Sequence, residues 1–201
     1  MKIGIVPKFQ LTKKKEIEFL IEENIFHFLK KIFKKPSFKI LTSTKNVKLD
    51  LIIITGGNDL DIFSKKKDDL KRNIVSKYFL RLSIKKKLPL VGICYGAQLI
   101  AHYFKSKIQK KKKHVGKHYI FLRKHYYNLA IPKKIIVNSY HNFSITKLSK
   151  ELITLSEAKD KTIESFTHKK FKMLGIMWHP ERYESFRKID KSYFKKLIWT
   201  S

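Results

Sequence analysis

The chain has one cysteine, and its neighbours set it apart. Cys94 lies in Val91-Gly92-Ile93-Cys94-Tyr95-Gly96-Ala97-Gln98, with a glycine two residues to either side. Leu88, Leu90, Val91 and Ile93 form a short apolar run entered through Pro89, the pattern of a strand buried on both faces. From Ala97 to Phe104 the residues read as the opening of a helix. A cysteine at such a junction has the layout of a nucleophile elbow. The turn is tight, flanking side chains would collide with backbone, and glycine removes the collision. The thiol then stands at the carboxyl edge of a sheet and at a helix amino terminus, a place that favours thiolates and offers free N–H donors. A lone cysteine is equally well a small buried core residue; the paired glycines weigh toward the nucleophile.

A thiol nucleophile needs a base, the base needs an orienting group, and the reacting carbonyl oxygen needs donors. Of eight histidines, His179 stands out. It ends the apolar run Met173-Leu174-Gly175-Ile176-Met177-Trp178 and is followed by Pro180-Glu181. Two-residue spacing at a strand end lets His179 and Glu181 project to one side, with Pro180 stiffening the turn. A carboxylate on one imidazole nitrogen fixes the tautomer that frees the other to exchange a proton with the thiol. The bland alternative is an exposed turn. Oxyanion donors would come from the backbone N–H of Tyr95, at the helix start, and of Gly57, in the glycine turn Gly56-Gly57 that follows another apolar strand. That turn lacks the patterns of a phosphate-binding loop and could be merely a flexible connection.

The elements that must hold these groups alternate. Strands are expected at Lys2 to Val6, Ser37 to Leu41, Leu49 to Thr55 and Leu88 to Ile93, with helices over Glu16 to Lys35 and Lys65 to Lys87. Lys105 to Lys113 reads as a lysine-rich mobile loop. Short strands follow at Tyr119 to Leu122, Ile135 to Tyr140, Leu152 to Glu157, Thr162 to Phe166 and Lys172 to Trp178, with a hairpin around Thr167 to Lys170 and a last helix from Ser185 to Trp199. The expectation is an α/β fold with a mostly parallel central sheet and helices on both faces, in one domain over residues 1–201, with ligands beyond the carboxyl ends of the strands.

Composition bounds the rest. A length of 201 residues suits a single core. One cysteine excludes an internal disulfide and fits a reduced, cytoplasmic setting. The opening residues are too soon broken by Pro7 for a signal peptide, and no apolar run approaches membrane-spanning length, so no membrane insertion is expected. The formal charge is +30, but of 46 basic residues only Arg72, Arg81, Arg123, Arg182 and Arg187 are arginine. Guanidinium groups that read bases are scarce, so no specific nucleic-acid partner is expected. The lysines either attract an anionic substrate or reflect an AT-rich genome.

Three segments resemble the class I glutamine amidotransferases: Thr55-Gly56-Gly57-Asn58-Asp59, Gly92-Ile93-Cys94-Tyr95-Gly96-Ala97-Gln98, and Gly175-Ile176-Met177-Trp178-His179-Pro180-Glu181-Arg182. The resemblance implies a flavodoxin-like, three-layer fold and a Cys-His-Glu triad of Cys94, His179 and Glu181, with Gly57 and Tyr95 as oxyanion hole. It further implies substrate contacts from Gly56, from Gln98 and from the backbone of the segment Asn138-Ser139-Tyr140-His141-Asn142, with Ser139, Tyr140 and His141 at its centre, although Gln98 could face solvent and His141 could be a packed loop residue. Within the family the turn and the Trp-His-Pro-Glu ending are most similar to the γ-glutamyl hydrolase branch, and look closer still to small enzymes of surface-polysaccharide clusters such as γ-glutamyl-CDP-amidate hydrolase. Phe104-Lys105-Ser106-Lys107 departs from the glycine pair common in that branch. The implied activity is hydrolysis of a γ-glutamyl amide through a thioester, releasing glutamate, with no metal and no organic cofactor. The implied partner is a small γ-glutamyl molecule, anionic if the lysines are functional. The alternatives are a glutaminase subunit feeding ammonia to a separate synthase, and a noncatalytic basic binding protein.

Overall fold

In the computed structural model, residues 1–111, 114–123 and 134–199 are described. The chain opens with β1 (Lys2–Val6) and a hairpin of β2 (Lys8–Leu11) and β3 (Ile17–Leu20), then α1 (Asn24–Ile32), β4 (Ser37–Ile40), β5 (Leu51–Ile54), α2 (Lys67–Lys86), β6 (Leu90–Ile93) and α3 (Tyr95–Tyr103). It continues through β7 (Lys107–Lys110), β8 (Val115–Leu122), β9 (Lys134–Tyr140), β10 (Phe143–Lys147), β11 (Leu152–Ala158), β12 (Ile163–His168) and β13 (Met173–Ile176). A 3₁₀ turn (Pro180–Arg182) and α4 (Lys188–Trp199) close it.

Eleven strands form one sheet, whose main path runs β4-β1-β5-β6-β13-β12-β11-β8-β9. The first five are parallel, with Ile53 beside Val91 and Gly92 beside Gly175. From β12 onward the pairing is antiparallel. β5 shows why helices cover both faces: all four residues are buried, and they alternate between two cores. Ile52 and Ile54 pack with Val75 and Phe79 of α2 and Leu99 and Ile100 of α3. Leu51 and Ile53 pack with Ile25, Phe28 and Leu29 of α1 and Phe194 of α4. Each such side chain removed from water contributes about 1.5–3 kcal/mol.

Two sequence expectations fail locally. Residues 16–35 are not one helix; Ile17–Leu20 pairs with Lys8–Leu11 in a separate two-stranded ribbon, and the helix starts only at Asn24. The apolar spacing there satisfies both periods, and tertiary contact decides: Phe9 is fully buried with its ring edge-on to Phe19 at 4.8 Å. The lysine-rich loop contains a strand, β7, paired with β10, which had no separate sequence signal. Ile108 packs inward between exposed lysines, the composition of a protected edge. The tail of that loop, residues 112–113, lies outside the described residues. The hairpin around residues 167–170 forms as expected, between β12 and β13.

Candidate active site

Three parallel strands, β5, β6 and β13, end at the same edge, and residues one to three positions beyond them meet there: Gly56, Cys94 and His179. Cys94 adopts φ 50° and ψ −99°, a conformation that side-chain-bearing residues rarely hold. It is pinned on both sides, its N–H donating to Ile176 O at 2.7 Å and its carbonyl accepting from Gln98 N at 3.0 Å. The flanking glycines are required by close approach. A methyl group on Gly92 would overlap the Gly96 carbonyl, and one on Gly96 would overlap Ile54 O. The thiol is 7% exposed at the foot of α3.

His179 and Glu181 face it from the segment that follows β13. Glu181 is not at a strand end but in the Pro180–Arg182 turn, which curls its carboxylate back until Oε1 lies 2.7 Å from His179 Nδ1. Both side chains are buried. With Nδ1 so engaged, Nε2 is left for the thiol. Burial alone would lower the imidazole pKa. The hydrogen bonds and charges of Cys94 and Glu181 outweigh it and raise the pKa to about 10, so the ring favours its protonated form.

Gly57 has φ +80°, in the left-handed region that glycine tolerates. The turn around it hangs on Arg72 of α2, which is fully buried. Its guanidinium donates to Thr55 O at 2.6 Å, Gly56 O at 2.9 Å, Asn58 Oδ1 at 3.1 Å and Gly57 O, and lies 4.1 Å over the Tyr95 ring. Burial lowers the Arg72 pKa to about 10, leaving it cationic at neutral pH. Asp69, one turn earlier, accepts from Asn58 Nδ2 at 2.8 Å and Asp59 N at 3.1 Å. One helix thus fixes both Gly57 and Tyr95, whose N–H sits in the first turn of α3, where no intrahelical acceptor exists.

Gln98 does not face solvent; it is buried and donates to Phe143 O at 2.9 Å. A cavity of about 150 Å³ is lined by Gly57, Cys94, Gln98, Tyr140, His141 and His179. Gly56 sits behind it: a methyl there would overlap His179 Cε1 and lie 3.4 Å from Cys94 Cβ. Ser139 is fully buried in β9, its hydroxyl donated to His114 O, and its side chain does not line the cavity. Tyr140 is half exposed, its ring edge-on to His179 at 5.4 Å and under the Arg182 guanidinium at 4.5 Å. Arg182 is held bidentately by Glu22, with Nε 2.8 Å from Oε2, and both line an adjoining cavity of about 310 Å³ together with Lys8 and Gly57.

The family Glutamine amidotransferase class-I matches residues 17–198. The chain belongs to that family. It is 44% identical over 139 residues to the γ-glutamyl-CDP-amidate hydrolase of Campylobacter jejuni, the match covering 69% of this chain and 66% of that protein. It is 30% identical over 149 residues to the glutamine-hydrolysing GMP synthase of Borreliella burgdorferi, covering 73% of this chain and 27% of that one. The chain therefore spans just under two thirds of the first relative and about a quarter of the second. A solved chain from Thermoplasma acidophilum, described as one component of a GMP synthase, superposes with a TM-score of 0.73 at 22% identity, covering 98% of this chain and 92% of that one, which establishes the shared fold. No helix among the described residues is long and apolar enough to cross a membrane.

Sequence reading missed Arg72, Asp69 and the hydrogen bonds by which the Asn138 side chain holds the His179 backbone. Residue type alone did not single out Arg72, because the same helix carries a second arginine, Arg81, which is exposed.

Proposed function

We propose that this protein is a cysteine-dependent hydrolase of γ-glutamyl amides, acting as a single catalytic domain in the cytoplasm. The observation that carries it is the Cys94 elbow facing a buried His179-Glu181 pair across a small cavity. In this reading the Cys94 thiolate attacks the γ-carbonyl carbon, and the developing oxyanion is held by the N–H groups of Gly57 and Tyr95. Protonated His179 gives its proton to the departing nitrogen as the C–N bond breaks, leaving a γ-glutamyl thioester. The now neutral ring takes a proton from water as it attacks the thioester carbonyl. Sulfur leaves as thiolate, glutamate is released, and imidazolium is restored. Glu181 holds the tautomer and offsets the ring's charge. Gln98 and the Tyr140-His141 wall hold the glutamyl group.

The leaving group is a nucleotide phosphoramidate, in keeping with the Campylobacter relative. Support comes from the larger cavity adjoining the thiol site, where Lys8 provides a cationic group suited to phosphate, beside an Arg182 whose charge is paired with Glu22. A second reading, a glutaminase subunit passing ammonia to a separate synthase, is favoured by the GMP synthase relative. Glutamate release from glutamine, γ-glutamyl-γ-aminobutyrate and a γ-glutamyl nucleotide amidate, each with Cys94→Ala as control, separates them. Fast turnover of the amidate supports the hydrolase. Slow turnover of glutamine alone supports the glutaminase reading, and release that does not depend on Cys94 refutes both.

A further inference from the structure

Behind the His141 wall of the thiol cavity, the antiparallel wing of the sheet gathers three imidazoles around a buried carboxylate. His114 precedes β8, and His118 lies four residues on, so strand alternation puts both on one face. Glu164, the second residue of β12, is 0% exposed, and His141 follows β9. Glu164 Oε1 is 3.4 Å from His118 Nε2, 3.5 Å from His114 Nδ1 and 3.8 Å from His141 Nε2. Among the described residues none of these atoms makes a well-aligned hydrogen bond, nor does the second Glu164 oxygen, although, against burial, the imidazoles hold the Glu164 carboxyl well below the usual carboxylate range. A carboxylate at zero exposure needs cationic compensation, and imidazolium donors would have closed to about 2.7–2.9 Å.

The spacings instead match the edges of a coordination polyhedron. Ligands about 2.0–2.1 Å from a tetrahedral ion lie about 3.3–3.4 Å from one another. The ligand atoms of His114, His118 and Glu164 all fall within 4.8 Å of each other. The outer arrangement fits as well. His114 turns its other nitrogen, Nε2, to Asp160 Oδ2 at 3.1 Å, and Asp160 is in turn held by Thr162 Oγ1 at 2.7 Å. A carboxylate on the far side of a ligating imidazole fixes its tautomer and raises its basicity. A cavity of about 440 Å³, lined by Tyr119, Lys134 and Asp160 among others, reaches the His114 and His118 side of the cluster.

We propose that His114, His118 and Glu164, with His141 beside them, bind one divalent transition-metal ion of the zinc class. Nitrogen and oxygen donors in this number suit zinc better than calcium or magnesium. The ion takes no part in amide cleavage. It ties β8 and β12 to the end of β9, and so braces the Tyr140-His141 wall of the thiol cavity.

The test is elemental analysis of untagged protein purified without chelator, followed by cobalt titration of chelator-stripped protein. About one zinc per chain and a tetrahedral cobalt spectrum without thiolate charge-transfer bands are expected. Glu164→Gln and the partly exposed His118→Gln should each weaken cobalt binding more than about 100-fold, while His179→Ala keeps it. Absence of metal and of a cobalt spectrum in the folded wild type overturns the proposal. So does binding retained in both cluster variants, or lost in His179→Ala, which would place the ion at the triad.

Discussion

The Asn138 carboxamide grips the His179 backbone from both sides, accepting from its N–H at 2.8 Å and donating to its carbonyl at 2.9 Å. β9 thereby sets the position of the imidazole that β13 delivers. Asn138→Ala leaves a buried N–H and C=O unpaired and frees the ring to drift. The expected result is a stability loss of about 1–3 kcal/mol in denaturant titration and a kcat lowered roughly 10–100-fold, with KM little changed.

Cys94 and Glu181 together set the protonation of His179. Because the folded-state pKa of His179 is raised, to about 10, the stabilisation it brings is complete below its unfolded value of about 6.5 and fades as pH rises through about 10. The alkaline limb of the rate profile should accordingly lie well above neutrality. In Glu181→Gln it should move down by at least about one pH unit, with kcat reduced on the order of 10²–10⁴-fold. Superimposable profiles for the two proteins would show that the carboxylate does not control the ring.

Gly56→Ala tests the packing behind the imidazole. The added methyl would come within 2.4 Å of His179 Cε1, so the ring must shift from its place beside the thiol. A loss of at least about 100-fold in kcat is expected, with the near-ultraviolet circular dichroism of the folded protein preserved. Full activity would mean that the ring tolerates displacement.

Arg72 acts through Gly57 and Tyr95 rather than on substrate. Arg72→Lys removes most of the donors that hold the Thr55 to Asn58 turn, at a cost of about 2–4 kcal/mol. Since an oxyanion forms only in the transition state, kcat should fall by about 10² while KM stays near the wild-type value, measured at a temperature where the variant is folded. Parallel changes in kcat and KM would instead indicate general loosening.

What the sequence showed best was what backbone crowding dictates. Gly92 and Gly96 announced the elbow, because only glycine admits the close approaches seen there, and the apolar runs ending at Ile54, Ile93 and Trp178 announced the strand ends that converge on it. Long-range side-chain contacts left weaker traces. The Arg72 clamp joins α2 to two other segments, and nothing local in Leu70 to Ile74 distinguishes it. The β2–β3 ribbon was hidden because Ile17, Leu20 and Ile21 also fit a helical face. Glu181 was identified for its spacing from His179, yet it reaches the ring through a 3₁₀ turn rather than strand alternation.

The thioester on Cys94 is the most direct measure of the mechanism. Protein in excess over a γ-glutamyl amide, quenched with acid over a time course and digested, should yield the peptide containing Cys94 carrying a transient γ-glutamyl group. Its rise should precede glutamate release, and it should be absent in Cys94→Ala. Glutamate appearing while that peptide stays unmodified at every time, or appearing equally from Cys94→Ala, would contradict covalent catalysis at Cys94.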